Sequence, residues 1–168
     1  ITTVLPVANQ SLTYDGTKWK PQSPSAANTP AIFISLSDNT ASTSIPNGTE
    51  LILTYDTVED SNGISLASGS RITASAAGVY EVSCSPQLTL SSGTQNFITL
   101  WLKKNGSNVA RSSSRIDMGN NLDEIFPYIS FIIRLSAGDY VEWALTGSAT
   151  NGFLTTIGAT SPYQIGRA

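Results

Sequence analysis

Short apolar runs bounded by turn residues recur along most of this chain. They fall at residues 31–36, 49–55, 70–74, 78–84, 96–103, 108–111, 128–135, 140–145 and 153–157, mostly built from Val, Ile, Leu, Phe, Tyr and Trp. The joints carry Pro46-Asn47-Gly48, Asn62-Gly63, Ser92-Gly93, Asn105-Gly106, Ala137-Gly138-Asp139 and Gly147. Such residues supply the positive φ or preset geometry that tight turns require. Apolar positions at helical spacing are nowhere sustained, which leaves room for one helical turn near residues 119–122. The pattern predicts an all-β chain, an antiparallel sandwich of about eight to ten strands.

Alternation assigns faces to two of these runs. Phe97, Thr99, Trp101 and Lys103 alternate with Ile98, Leu100 and Leu102, and Tyr128, Ser130, Ile132 and Arg134 alternate with Ile129, Phe131, Ile133 and Leu135. One face fills a core, yet the other is also apolar. An outer sheet face exposed to water should read polar, so Phe97, Trp101 and Ile132 point either to cover by another subunit or to ordinary exposed apolar residues and an intrachain flap.

The first thirty residues read differently. Asp15-Gly16, flanked by Tyr14 and Trp19, is a strong hairpin signal. Residues 21–30 hold three prolines and no large apolar group, which favours an extended connector. The chain therefore divides into an extended N-terminal arm and linker, residues 1–30, and a main domain, residues 31–168. Ile1 in place of Met reads as a processed chain or an excised piece.

Charge narrows the partners. Charged residues are only 12% of the chain, with nine Lys and Arg against twelve Asp and Glu and no basic run longer than Lys103-Lys104. That balance gives no footprint for nucleic acid or an anionic membrane and leaves carbohydrate or protein open. No apolar stretch is long enough to span a bilayer as a helix. Cys84 is the single cysteine, so an intrachain disulfide is ruled out and a plain buried thiol is expected.

Candidate chemistry is sparse. With no histidine, the usual general base near neutral pH and the commonest metal ligand are missing. Paired carboxylates can still cleave a glycoside, and Asp56, Glu59, Asp60, Asp117, Asp123, Glu124, Asp139 and Glu142 are available, most of them at predicted turns where a solvated loop charge is expected. Asp56, Glu59 and Asp60 together suit calcium but lack the alternating ligand spacing of a calcium loop. No catalytic, cofactor-binding or metal residue is assigned and no cofactor is expected. Loops rich in Ser, Thr and Asn beside aromatics suit sugars, and Tyr55, Tyr128 and Trp143 are ligand-binding candidates on that ground, with core packing the competing role for each.

Four segments together resemble a known family. They are residues 51–56 (Leu-Ile-Leu-Thr-Tyr-Asp), 72–80 (Ile-Thr-Ala-Ser-Ala-Ala-Gly-Val-Tyr), 98–106 (Ile-Thr-Leu-Trp-Leu-Lys-Lys-Asn-Gly) and 135–143 (Leu-Ser-Ala-Gly-Asp-Tyr-Val-Glu-Trp). In order and spacing they are similar to the jelly-roll modules of the complement component one q head and the tumour necrosis factor superfamily, especially their bacteriophage virion relatives. The resemblance covers residues 31–168 and implies a jelly roll that forms a homotrimer, with Tyr80 and Tyr140 joining Phe97, Trp101 and Ile132 as trimer-interface candidates. The chain departs from the family in lacking an upstream collagen-like repeat and an obvious long final strand after residue 157. Residues 12–21 look like a segment that precedes distal modules in phage tail-fibre and other virion adhesion proteins.

The resemblance implies a virion structural and adhesion module, displayed on a phage fibre or particle surface, that binds host glycan or protein. Residues 1–30 would attach it to other virion proteins. A capsid decoration (cement) protein stabilising the head fits the same features. A polysaccharide-degrading domain using paired carboxylates is the alternative from another class. A signalling head is disfavoured by the single cysteine and the missing collagen-like stalk.

Overall fold

A computed structural model of the protein describes residues 10–22, 31–39, 42–93, 95–119 and 124–155. The chain forms two compact units, Ile1–Ala31 and Ile32–Ala168. Of the connector expected over residues 21–30, Pro21 and Gln22 are instead the end of a strand, and residues 23–30, most of the helical turn near 119–122 and the tail after 155 lie outside the described residues.

The first unit contains a hairpin of β1 (Ser11–Tyr14) and β2 (Trp19–Gln22), with Tyr14 opposite Trp19. Four residues, not two, make the connection. The Asp15 carboxylate accepts the Thr17 and Lys18 N–H groups at 3.0 and 2.9 Å, and the Asp15 N–H donates to the Lys18 carbonyl. The aspartate thus organises the loop through its side chain.

The second unit contains, in chain order, β3 (Phe33–Ser37), β4 (Thr43–Ser44), β5 (Leu51–Ile52), β6 (Thr57–Asn62), β7 (Ile64–Ala67), β8 (Arg71–Ala74), β9 (Gly78–Cys84) and β10 (Leu88–Leu90). There follow β11 (Asn96–Lys104), β12 (Ser107–Asn108), β13 (Ser114–Met118), β14 (Glu124–Ile125), β15 (Ile129–Leu135), β16 (Tyr140–Thr146) and β17 (Gly152–Leu154). In one sheet β11 pairs with β16, β12 and β13 line the other edge of β11, and β8 and β5 line the start and end of β16. The second runs β14–β10–β17–β4 and is continued by the β15–β9 pair. Every pairing between these strands is antiparallel. Neighbours distant in sequence within each sheet make the sandwich a jelly roll.

The segments outnumber the strands expected from the pattern because long strands are broken. Leu88 pairs with Ile125 and Cys84 with Ile129, the same register on both sides of a gap, which sets Pro86 opposite Pro127. Neither proline can donate to a ladder, so the paired strands are interrupted together. The pattern also passed over β6, whose Glu59 and Asp60 are exposed, and β13, which alternates only two apolar residues with polar ones. Residues 108–111, expected as a strand, instead leave the sheet after Asn108. Arg111 takes φ 65°, and the buried Ser112 hydroxyl stands in for a strand neighbour by accepting the Leu102 N–H and donating to the Val109 carbonyl.

The core lies between the sheets. Leu100 faces Leu145 and Leu102 faces Trp143 across β11 and β16, with Ile98 and Val141 on the same side. Val82, Leu88, Leu90 and Leu135 of the second sheet close over them. Burying each such side chain stabilises the fold by about 1.5–3 kcal/mol. The Trp143 indole N–H is buried with no acceptor among the described residues, which costs about 1–3 kcal/mol against that gain.

One buried polar side chain holds an end of the sandwich together. Asn96 is fully buried; its Oδ1 accepts the N–H groups of Ser148 and Ala149 and its Nδ2 donates to the Ala149 carbonyl and Asn151 Oδ1. Gly152 permits this approach, since a Cβ there would sit 2.9 Å from Asn96 Nδ2 and 3.1 Å from Ile98. Asn96→Ala leaves several of these partners unsatisfied, so urea unfolding is expected to show a loss of more than about 2 kcal/mol, whereas Ile98→Val should cost about 0.5–1.5 kcal/mol.

Candidate association surface

The β15–β9 pair turns odd-numbered β15 residues inward and even-numbered ones outward. Ile129, Phe131, Ile133 and Leu135 join the core with Val82, Cys84 and Tyr80, while Ser130, Ile132 and Arg134 face away. Ile132 is 70% exposed, and Tyr128 and Phe126, just before the strand, are 68% and 51% exposed. Val79, across from Arg134, is 57% exposed. Among the described residues β15 pairs only with β9, and β14 lies at the edge of its sheet. An apolar stripe therefore runs along a sheet edge, the kind of surface that soluble proteins cover.

Two charges flank it. Glu81 stands opposite Ile132 and accepts a hydrogen bond from Ser130 Oγ at 2.6 Å, and Arg134 stands opposite Val79 with its side chain exposed. The face thus offers both signs beside its apolar centre.

A polar lock fixes the far end of β15. Lys104 Nζ donates to the Arg134 carbonyl and pairs with Asp139 at 2.8 Å. The Asp139 carboxylate also accepts from the Ser136 N–H and from Asn105 Nδ2, each at 2.8 Å. Asn105 in turn exchanges hydrogen bonds with the Tyr140 backbone. The Asn105-Gly106 hairpin and the turn before β16 are held as one piece, with the end of β15 attached to both.

The structure separates the interface candidates from one another. Ile132 is on the exposed stripe. Phe97 and Trp101 do lie on the outer face of β11, but they are half-buried by their own chain: the Arg115 guanidinium sits 3.6 Å over the Phe97 ring, and Trp101 Nε1 donates to Asn108 Oδ1 at 2.9 Å. Tyr140 lies under Arg71 at 4.7 Å. Tyr80 points to the core side of β9 and its hydroxyl donates to the Ala76 carbonyl at 2.7 Å. Phe126 and Val79 were not singled out in the sequence, although extending the alternation of residues 128–135 backwards would have reached Phe126.

The ligand candidates separate as well. Trp143 is fully enclosed and presents no face to a ligand, a correction to its reading as a platform. Tyr55 packs against the core, and burial holds its hydroxyl well above the usual tyrosine range. Tyr128 alone of the three is largely exposed, within the stripe.

The carboxylates are mostly engaged. Asp56 accepts the Asn39 N–H, Glu59 accepts from Ser37 Oγ and Asp117 from Gln95 Nε2. Glu142 is buried on β16 and not solvated at a turn; Ser70 Oγ donates to it at 2.7 Å, and Arg71 lies 3.5 Å away. Asp123 lies outside the described residues. No cluster of three or more His, Cys, Asp or Glu residues suited to a metal occurs among the described residues. An open hollow of about 230 Å³ lined by Gly63, Ile64, Ser65, Thr73, Ala74 and Ser75 carries no titratable side chain.

Fold and surface together define a jelly-roll β-sandwich with an exposed apolar edge. No family model matches the chain, and no curated protein matches it. Among solved structures, the Eiger TNF of S. frugiperda aligns at 14% identity with a TM-score of 0.34, over 74% of this chain and 97% of that one.

Two measurements follow. The contacts of Asp139 hold its carboxyl below the ordinary value of 3.8, the Lys104 ammonium foremost. A depressed folded pKa stabilises fully above that ordinary value and less as pH falls through the folded pKa. Asp139→Asn is expected to lower Tm at pH 7, with the gap to wild type closing below about pH 4; a gap indifferent to pH would remove the charge from the lock. Burial pushes the Cys84 thiol up to about 12. Alkylation at pH 8 is expected to be slower in the native protein than in denaturant by about a hundredfold or more.

Proposed function

We propose that this chain is a virion structural and adhesion module that works as a homotrimer. The exposed stripe of Phe126, Tyr128 and Ile132, with Val79 beside it, carries the reading. Such an edge invites a partner, and a second copy of the chain always supplies one at matching stoichiometry. Glu81 and Arg134 on the same face let copies meet with opposite charges apposed. Threefold closure and placement on a phage particle rest on the resemblance carried by residues 51–56, 72–80, 98–106 and 135–143. Residues 1–30 serve as the attachment to other virion proteins.

The layout of the sandwich supports a tethered module with a free end. β16 is preceded by Asp139, which meets Ala74, and followed by Gly147, which meets Pro46 and Gly48. Phe33, the first residue of β3, pairs beside Asn62 and Gly63, and Gly63 meets Ser75, so β3 starts at the Asp139 end. At the opposite end residues 46–49, 91–93 and 148–151 come together without one charged side chain. Neutral hydroxyl and amide loops suit an uncharged host ligand such as a glycan.

Light scattering coupled to size exclusion tests the association. The wild-type chain is expected at three times 17.7 kDa. Ile132→Glu removes about 1.5 kcal/mol or more of burial and places a charge in the contact, so the dissociation constant should rise at least about tenfold with the sandwich still folded. A monomeric wild type, or a variant that assembles unchanged, would count against this surface.

A further inference from the structure

The N-terminal hairpin has two unlike faces. Its register sets Leu12 opposite Pro21 and Tyr14 opposite Trp19, so these four share one side, while Thr13 and Lys20 share the other. The apolar side is open: Leu12 and Tyr14 are each 53% exposed and Trp19 is 65% exposed. Its rings touch, with centroids 5.3 Å apart and planes tilted by 47°. No charged residue stands on that side, and Lys20 pairs with Asp15 at 2.6 Å away from it.

A lone two-stranded hairpin is marginal in water and needs cover for an apolar face. We propose that the cover is the same face of the hairpins from the other copies in the assembly, so that the arm forms a second, small apolar cluster about the symmetry axis. The occupant follows from three features. An uncharged apolar face is self-complementary, since copies bring no like charges together. The hairpin leaves its polar side, with Lys20, free to stay in water. Ten residues, 23–32, join it to β3, a reach of at most roughly 35 Å, so in an assembled protein the hairpins meet at an effective concentration on the order of millimolar. This inference rests on the self-association proposed above and extends it to a segment outside the sandwich.

Trp19 reports the contact directly. Iodide quenching of the wild-type chain and of Trp19→Phe is compared at protein concentrations above and below dissociation of the assembly, and the difference isolates Trp19 from Trp101 and Trp143. In the assembled chain that component is expected to quench several-fold less than free tryptophan and to become fully accessible when the assembly dissociates. Leu12→Glu should restore full quenching while the sandwich stays folded and associated. An assembly in which Trp19 quenches like free tryptophan overturns the hairpin cluster alone. Protection that survives dissociation, or that Leu12→Glu leaves intact, overturns it in favour of cover from the hairpin's own chain. A chain that is monomeric at every concentration overturns both this inference and the association surface.

Discussion

The pairing of β11 with β16 is the constraint on which the rest of the sandwich hangs. Its inward residues, Leu100 with Leu145 and Leu102 with Trp143, fill the centre of the core, and the pair is bordered on either side by shorter strands. β16 is enclosed on both faces over residues 141–145, and its Glu142 is accommodated there by Ser70 and Arg71. A buried carboxylate without partners would carry a desolvation cost of several kcal/mol. Ser70 and Arg71, at the start of β8, are thereby tied to the central pair.

Low charge shapes the rest of the architecture. Where many proteins close loops with ion pairs, this one uses amides and hydroxyls: Asn96 at one end, Ser112 at the excursion beside β11, Asn105 at the other end. Such hydrogen bonds do not weaken with salt as exposed ion pairs do. The Lys104–Asp139 pair is an exception, and it stands where the end of β15 must be attached to the opposite sheet.

Much of this was legible before any coordinates. The runs containing β9, β11, β15 and β16 follow from apolar content and turn residues, because those strands lie in or beside the core and their composition reports burial. The inward set of β11 and the outward position of Ile132 follow from alternation alone. What the pattern hides is cover by side chains distant in sequence. Arg115 over Phe97 and Asn108 on Trp101 come from neighbouring strands, and nothing in residues 96–103 announces them. Trp143 reads as a sugar platform because aromatics accompany loops rich in Ser, Thr and Asn, but it lies in a strand enclosed on both faces, where even Glu142 is buried. β6 was missed because an exposed strand can be acidic and still pair.

The two open apolar surfaces differ in how firmly each is built. The Phe126–Tyr128–Ile132 stripe rests on a strand whose inward residues are core and whose far end is locked through Lys104 and Asp139, so it is presented rigidly. Rigid presentation lowers the entropy lost on association. Among the described residues the hairpin is held by its own strand pairing, the Tyr14–Trp19 ring contact and the Lys20–Asp15 ion pair. A surface that is already ordered can nucleate an assembly, whereas one that needs cover to be ordered gains from an assembly already formed. On the self-association proposed above, the sandwich would associate first and the arm would consolidate second, with the linker converting the second step into a local one.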